Sequence, residues 1–393
     1  MYIVRFIIIL LYGISVNCYA AGTLEEFANL QKASLLLLDE NREVVYSRNS
    51  DQLQIPASTV KLLTALMAID LWGRDHHFFT ELYRDKQNNL VIKGLGDPFL
   101  VSEEIDLMVN GLVDLGINQF SSILIDANYF QENLFISGQG ISNNPYDAAV
   151  SPLAANFNTV EIHIDEHGVI TGEPQTPITP LALLLAKDLS VGKHRVNLGK
   201  AKYSGMYFVE LLTAKLQMKN IMVNNDSVLL SDSRDLELLY THHNSKPLGE
   251  VISAMLEYSN NFIANQLYLM MGAEKFGAPA SLEKSQRFAR EYIEQHFSWR
   301  DYSLSDGAGL SRENRLSARQ LIEVLHKFAP YRELMPRQND QIFAKSGTLR
   351  GVSSYAGYLQ GRQQMYVFSV LINQPVRYRF REQLAVELLE FFD

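Results

Sequence analysis

Cysteine is almost missing from this chain: Cys18 is the only one in 393 residues, and it lies near the N-terminus. That excludes disulfides, a thiolate nucleophile and cysteine-based zinc sites from everything downstream. Long apolar runs are scarce as well. The stretch from Phe6 to Val16 follows Arg5, is too short to span a bilayer and ends in "NCYAAG", so residues 1–20 read as a secretory signal peptide processed after Ala20. Lipidation at Cys18 is a weaker alternative, because Asn17 stands where a small residue is wanted; an uncleaved anchor is the other. Positive charge is also in short supply. Lys and Arg number 35 against 44 Asp and Glu, a net charge of −9 that becomes −10 when Arg5 leaves with the signal. Phosphate backbones bind basic surfaces, so nucleic acid is not an expected partner. Residues 21–393 are enough for two domains held by their cores alone.

What is present divides into three textures. "TLEEFANLQK" opens with Thr23 and Glu26 in capping-box spacing. "SLLLLDENREVVYSR" reads as two strands joined by a turn at Asp39 to Arg42, followed by an apolar helix from Ser58. From residue 81 to 245 short strands ("NLVIKG", "SSILIDA") alternate with turn clusters ("GLGDP", "SGQGISNNP", "GEPQTPITP"), which reads as an inserted strand-rich domain. Helical periodicity returns at "PLGEVISAMLEYSNNFIANQLYLMMG", and the chain closes with alternating strands and the helix "RFREQLAVELLEFFD". The acids of that last helix suit packing on a sheet better than an anionic membrane. Strands at both ends with helices between predict an α/β (α+β) core, residues 21–80 and 246–393, whose sheet joins the N-terminal hairpin to the C-terminal strands.

Within "IPASTVKLLTALMAID" a lysine interrupts a helix apolar on both faces. Lys61 is one turn beyond Ser58, close enough for its amine to reach the serine hydroxyl. Burial and a second cation lower a lysine pKa, and a neutral amine can take the proton that a serine must lose to become a nucleophile. The competing reading is a lysine snorkelling to solvent at the helix end. Ser-x-x-Lys recurs at Ser190 and Ser281 in polar surroundings, so spacing alone decides nothing. Two further segments do more. "YSNNFIAN" places Ser259 and Asn261 at a helix start, where a hydroxyl can relay a proton and an amide can hold a peptide bond or Lys61; an N-cap at Ser259 is the plainer reading. "KSGTLRG" sets Lys345, Ser346, Gly347 and Thr348 along a strand, offering a cation and two hydroxyls to a carboxylate and a side-chain-free position where a peptide can pair.

Ser-x-x-Lys, Ser-x-Asn and Lys-hydroxyl-Gly in that order are the signature of serine β-lactamases and penicillin-binding proteins. The chain resembles the low-molecular-mass penicillin-binding proteins, specifically the D-alanyl-D-alanine carboxypeptidase/endopeptidase family with an inserted domain, over "PASTVKLLT", "IKGLGDPFL", "DANYF", "YSNNFIAN", "SDGAGLSRENRLSARQ" and "KSGTLRGVSSYAGYL". The resemblance implies a β-lactamase-like core with an antiparallel sheet flanked by helices. It implies acylation at Ser58 with Lys61 as base, Ser259 and Asn261 completing the proton network, and Lys345 adding charge. Ser346 and Thr348 would bind a terminal carboxylate, and the Ser58 and Thr348 N–H groups would form an oxyanion hole. Ser346 replaces the usual threonine and keeps the hydroxyl. Asp147 in "NPYDAAVSP" resembles an acidic residue of the insertion that meets a substrate amine; a surface-turn aspartate is the competing reading. The implied enzyme is exported and periplasmic, needs no cofactor or metal, keeps no stable membrane anchor, acts on peptidoglycan stem peptides and is covalently inhibited by β-lactams. A β-lactamase or esterase on the same core, or a non-catalytic peptidoglycan-binding protein, are the alternatives.

The histidines carry no competing chemistry. His76, His77, His242 and His243 fall in polar segments and read as solvated pairs. His163 and His167 span a strand and turn poorly suited to a metal.

Overall fold

The computed structural model describes residues 22–199, 201–230 and 235–392, so the signal-peptide reading and Cys18 lie outside the described residues. A five-stranded antiparallel sheet organises the core, in the order Ile342–Leu349, Val352–Gln360, Met365–Ile372, Ala33–Leu38, Val44–Arg48. The N-terminal hairpin thus joins the C-terminal strands, with Ala33 opposite Ile372 and Leu38 opposite Val367. Its turn is the expected one: Asp39 accepts from the Glu43 N–H at 2.8 Å and Arg42 takes a left-handed φ of 66°.

Every residue of Ala33–Leu38 is buried because helices cover both faces of the sheet. Alternate side chains point to opposite faces. Leu35 and Leu37 pack with Phe27, Phe380, Leu384 and Leu388 of the terminal helices Thr23–Ala28 and Phe380–Phe392. Leu36 and Leu38 face the other core, built on helices Val60–Trp72, Leu248–Glu257, Asn261–Phe276 and Ala318–Phe328. The Val60–Trp72 helix is enclosed from residue 60 through 69. Thr23 does not cap the first helix. Gly22 is the N-cap and makes no side-chain bond, the Leu24 N–H goes to Glu387 at 3.1 Å, and the Thr23 hydroxyl accepts from Arg377 at 3.0 Å. The Glu26 N–H that a capping box would use goes to the Gly22 carbonyl at 2.9 Å.

The intervening region carries a second five-stranded sheet, ordered Glu237–Pro247, His77–Arg84, Leu90–Lys93, Gln119–Asp126, Met222–Leu230. It mixes antiparallel and parallel pairs, the parallel ones flanking Gln119–Asp126. Helices Ser102–Asp114 and Ala201–Met218 accompany this sheet. A smaller sheet, Ile170–Thr171, Thr159–Ile164, Gly192–Asn197, has its own helix, Pro180–Ala186. The strand segments read from "NLVIKG" and "SSILIDA" are strands; the helices between them were not expected. Strands His77–Arg84 and Glu237–Pro247 pair with each other and carry the chain out of and back into the core. Among the described residues no helix is long and apolar enough to cross a membrane.

His242 departs from the solvated reading. It is buried, with Nε2 3.0 Å from the Glu104 carboxylate, because strand pairing opposite Thr80 turns it inward against helix Ser102–Asp114. His76 is half-buried on Trp72, while His77 and His243 are exposed.

Candidate active site

Ser58 sits in a single 3-10 turn, Ala57–Thr59, that runs directly into the enclosed Val60–Trp72 helix. Ala57 is left-handed at φ 48°, a costly conformation for a residue with a Cβ, and the surroundings fix it. The Thr59 hydroxyl donates to the Pro56 carbonyl at 2.7 Å, and Ser354 of the neighbouring strand donates to the same oxygen at 2.6 Å. Two glycines let backbone approach this turn. A Cβ on Gly347 would lie 2.7 Å from the Ser58 nitrogen; one on Gly309, whose φ of 80° also disfavours a side chain, would lie 3.0 Å from it.

Lys61 is fully buried, and its Nζ lies 3.0 Å from Ser58 Oγ, 2.7 Å from Asn261 Oδ1 and 2.7 Å from the Ala308 carbonyl. Three acceptors surround the nitrogen, enough for the three N–H groups of an ammonium; a neutral amine has two. In the neutral form, two N–H bonds satisfy the amide oxygen and the carbonyl and the lone pair is left to receive the Ser58 O–H. Burial is the main force pulling the Lys61 pKa well below its usual value; the Lys345 cation adds to it, and Asp306 opposes.

Asn261 is the first residue of helix Asn261–Phe276. Its neighbour Asn260, and not Ser259, is the N-cap, accepting from the Ile263 N–H at 3.1 Å. That leaves the Asn261 amide free to accept from Lys61 while donating to the Tyr146 carbonyl at 3.1 Å. Ser259 lies in the preceding turn with φ 52°, half-buried, and its hydroxyl makes no hydrogen bond among the described residues. Ser58, Lys61 and Asn261 therefore form one network, with Ser259 beside it.

Lys345 is 1% exposed on Ile342–Leu349, an edge strand of the sheet whose outer side is bonded to residues 336–338 as far as Ala344. Its ammonium donates to the Ser346 carbonyl at 2.9 Å, and burial first, then the Arg381 cation, pull its pKa down to about 7 against a small opposing effect of Glu257. Arg381 was invisible in the sequence. From the last helix it donates to the Gly347 carbonyl at 2.6 Å and to the exposed Thr348 hydroxyl at 2.7 Å, a second cation where a carboxylate would arrive. Ser346 is half-buried and Gly347 buried between them.

Asp306 is the other residue that sequence reasoning missed. Its buried carboxylate accepts from the N–H groups of Ala308, Gly309, Leu310 and Ser311 and from the Asn314 amide, at 2.7 to 3.1 Å. This folds "DGAGLS" into a loop that presents the Ala308 carbonyl to Lys61. An aspartate followed by small and glycine residues was the only signal for it. Asp147 closes another loop, accepting from the Gly140 N–H at 2.7 Å and the Ser142 hydroxyl at 2.5 Å. Its adjacent residue Tyr146 is the one that touches Asn261.

A D-alanyl-D-alanine carboxypeptidase of Actinomadura sp. (strain R39) is 24% identical over 89% of this chain and 79% of its own length. The D-alanyl-D-alanine carboxypeptidase DacB of Haemophilus influenzae is 22% identical over 84% of this chain and 83% of its own. Penicillin binding protein 4 of H. influenzae has the same fold, with a TM-score of 0.76 at 19% identity over 94% of this chain and 99% of that one. A predatory peptidoglycan endopeptidase of Bdellovibrio bacteriovorus matches more loosely, at a TM-score of 0.55 and 14% identity over 92% of each chain. The profile of one family covers residues 29–187 and 193–334, and on that match the chain belongs to the D-Ala-D-Ala carboxypeptidase 3 (S13) family.

Proposed function

We propose that this chain is a serine D-Ala-D-Ala carboxypeptidase that also opens D-alanyl cross-links, acting on peptidoglycan stem peptides outside the cytoplasm. The observation that carries the reading is the Lys61 amine, buried and bonded at once to Ser58, Asn261 and the Ala308 carbonyl. Neutral Lys61 takes the Ser58 proton as Oγ attacks the penultimate D-Ala carbonyl. The N–H groups of Ser58 and Thr348 stabilise the oxyanion, and the proton passes by way of Ser259 to the departing D-Ala amine. Water then attacks the ester and restores Ser58. Lys345, Ser346, Thr348 and Arg381 hold the terminal carboxylate, while Gly347 leaves room for the peptide to run along the edge strand. Asp147 is assigned to a substrate amine at the rim of the loop it closes.

Export rests on the Phe6 to Val16 run and the small residues at Ala20. β-Lactams, which present an acylating carbonyl and a carboxylate in the same relation, are expected to acylate Ser58. Incubation with a fluorescent penicillin tests this: a covalent adduct on the wild type that disappears in Ser58→Ala supports the reading, and an undiminished adduct in that variant refutes it. Slow adduct release marks a peptidase; rapid turnover would favour the β-lactamase alternative.

A further inference from the structure

The loop that offers the Ala308 carbonyl to Lys61 is anchored a second time, by two side chains that the acylation chemistry leaves unused. Asp306 gathers the N–H groups of Ala308, Gly309, Leu310 and Ser311 but leaves Gly307 to others. The Gly307 N–H goes to Asn265 Oδ1 at 3.0 Å, and the Gly307 carbonyl accepts from the Thr64 hydroxyl at 2.7 Å.

Both side chains come from helices already in the site. Thr64 follows Lys61 by one turn on Val60–Trp72, and Asn265 follows Asn261 by one turn on Asn261–Phe276. Lys61 and Asn261 bond each other directly at 2.7 Å; on the next turn Thr64 and Asn265 meet through Gly307. Thr64 is fully buried and Asn265 is 3% exposed, and polar groups persist at such depth when they are bonded. A helical threonine commonly turns its hydroxyl back to a carbonyl of its own helix. Thr64 spends its one O–H on the loop instead. The loop is also pressed against the second helix: a Cβ on Gly307 would lie 2.6 Å from the Tyr268 Cβ and 2.8 Å from the Ala264 carbonyl oxygen.

Peptide planarity carries the constraint forward. The Gly307–Ala308 peptide is bonded on both sides, its carbonyl to Thr64 and its N–H to Asp306 at 2.8 Å. A rigid unit fixed at two points leaves the next carbonyl, that of Ala308, little freedom, and it meets Lys61 Nζ at 2.7 Å.

We infer that Thr64 and Asn265 are positioning residues for acylation: by clamping Gly307 they hold the Ala308 carbonyl where it takes one N–H of Lys61 and leaves the amine's lone pair aimed at Ser58. The inference rests on the acyl-enzyme reading. Without the clamp the carbonyl can swing aside, and the amine can present an N–H to Ser58 Oγ in place of its lone pair. Misplacement by about 1 Å at a reacting centre costs up to about a hundredfold in rate.

Thr64→Val keeps the shape and removes the donor, Thr64→Ser keeps the donor, and Asn265→Ala removes the acceptor. Adduct formation with a fluorescent penicillin is followed by stopped flow over a range of concentrations, which separates the noncovalent dissociation constant from the acylation rate constant. Thr64→Val and Asn265→Ala should each lower the rate constant at least about tenfold while changing the dissociation constant less than about twofold. Thr64→Ser should return the rate constant to within about threefold of wild type. The double variant should lose about as much as the slower single one, because both side chains act on one glycine. Rate constants equal to wild type, a loss confined to binding, a serine variant as slow as the valine one, or a double loss equal to the product of the single losses would overturn the inference. Where one substitution prevents folding, the other carries the same test. Amide hydrogen exchange reads the clamp apart from the chemistry: exchange at residues 307–311 should quicken at least about tenfold in Thr64→Val, and unaltered protection there would also overturn the inference. A wild type that forms no penicillin adduct sinks the acyl-enzyme reading instead, and the exchange still decides the clamp.

Discussion

Lys345→Met should make this protein more stable while destroying its activity. Lys345 is 1% exposed and its ammonium is bonded, among the described residues, only to the carbonyl of the next residue. Its pKa falls from 10.5 to about 7. At about 1.4 kcal/mol for each tenfold change, keeping it protonated inside the fold costs about 5 kcal/mol. Methionine fills a similar volume with no charge to desolvate, and losing the bond to Ser346 gives back about 1 kcal/mol, so a net gain of about 3–4 kcal/mol is expected at pH 6. The sign with pH follows from linkage. Because the folded pKa lies below the unfolded one, the penalty is complete below about pH 7 and disappears as pH rises toward 10.5, the unfolded chain binding the extra proton throughout that window. The variant's advantage should shrink over the same range. Urea unfolding can follow this by tryptophan fluorescence, since Trp72 and Trp299, the only two tryptophans, both pack against the core that holds Lys61. A stability difference independent of pH between 6 and 10, or a variant less stable than wild type at pH 6, would refute the reasoning.

The same group shapes the rate profile. In the free enzyme kcat/KM should decline above about pH 7 as Lys345 loses its proton and its hold on the carboxylate, and Lys345→Arg should move that limb upward; a descending limb unmoved by arginine would assign it elsewhere. Asp306→Ala leaves four backbone N–H groups and the Asn314 amide without their acceptor, so a loss of roughly 3 kcal/mol or more in urea unfolding and a slower penicillin acylation are expected together; loss of neither would mean that the loop holds the Ala308 carbonyl without it. Gly347→Ala pushes a methyl carbon to 2.7 Å from the Ser58 nitrogen and should lower acylation at least about tenfold while costing no more than a few kcal/mol in stability; an acylation rate equal to wild type would show that the strand can retreat.

The parts of the site legible from sequence were those set by local geometry. Ser58 and Lys61 are one helical turn apart, Asn261 opens a helix, and Lys345 to Thr348 alternate along a strand, so residue type and spacing carried their chemistry. The sheet was legible for a similar reason: "SLLLL" is apolar on both faces and needs cover on each, which only strands from the far end of the chain and the flanking helices supply. What escaped had no side-chain signature. The Ala308 carbonyl is backbone, placed by Asp306 through bonds to four N–H groups. Arg381 meets Thr348 only because the last helix folds back across the sheet. Asn260, one residue on, took the cap that Ser259 was read to fill, and the Glu26 N–H that a capping box would have used bonds to the Gly22 carbonyl. His242 read as polar and exposed because its partner, Glu104, is remote in sequence.

The pairing of Ala33–Leu38 with Met365–Ile372 gives the molecule a built-in test of completeness. A ribosome releases the nucleophile helix early, yet the strand bearing Lys345 and the helix bearing Arg381 are made near the end, and Ala33–Leu38 has no neighbour on that side until Met365–Ile372 is made. Such remote pairing is slow to form. A polypeptide ended before that strand therefore lacks both the completed sheet and the Arg381 cation, so the site cannot assemble in a half-made copy.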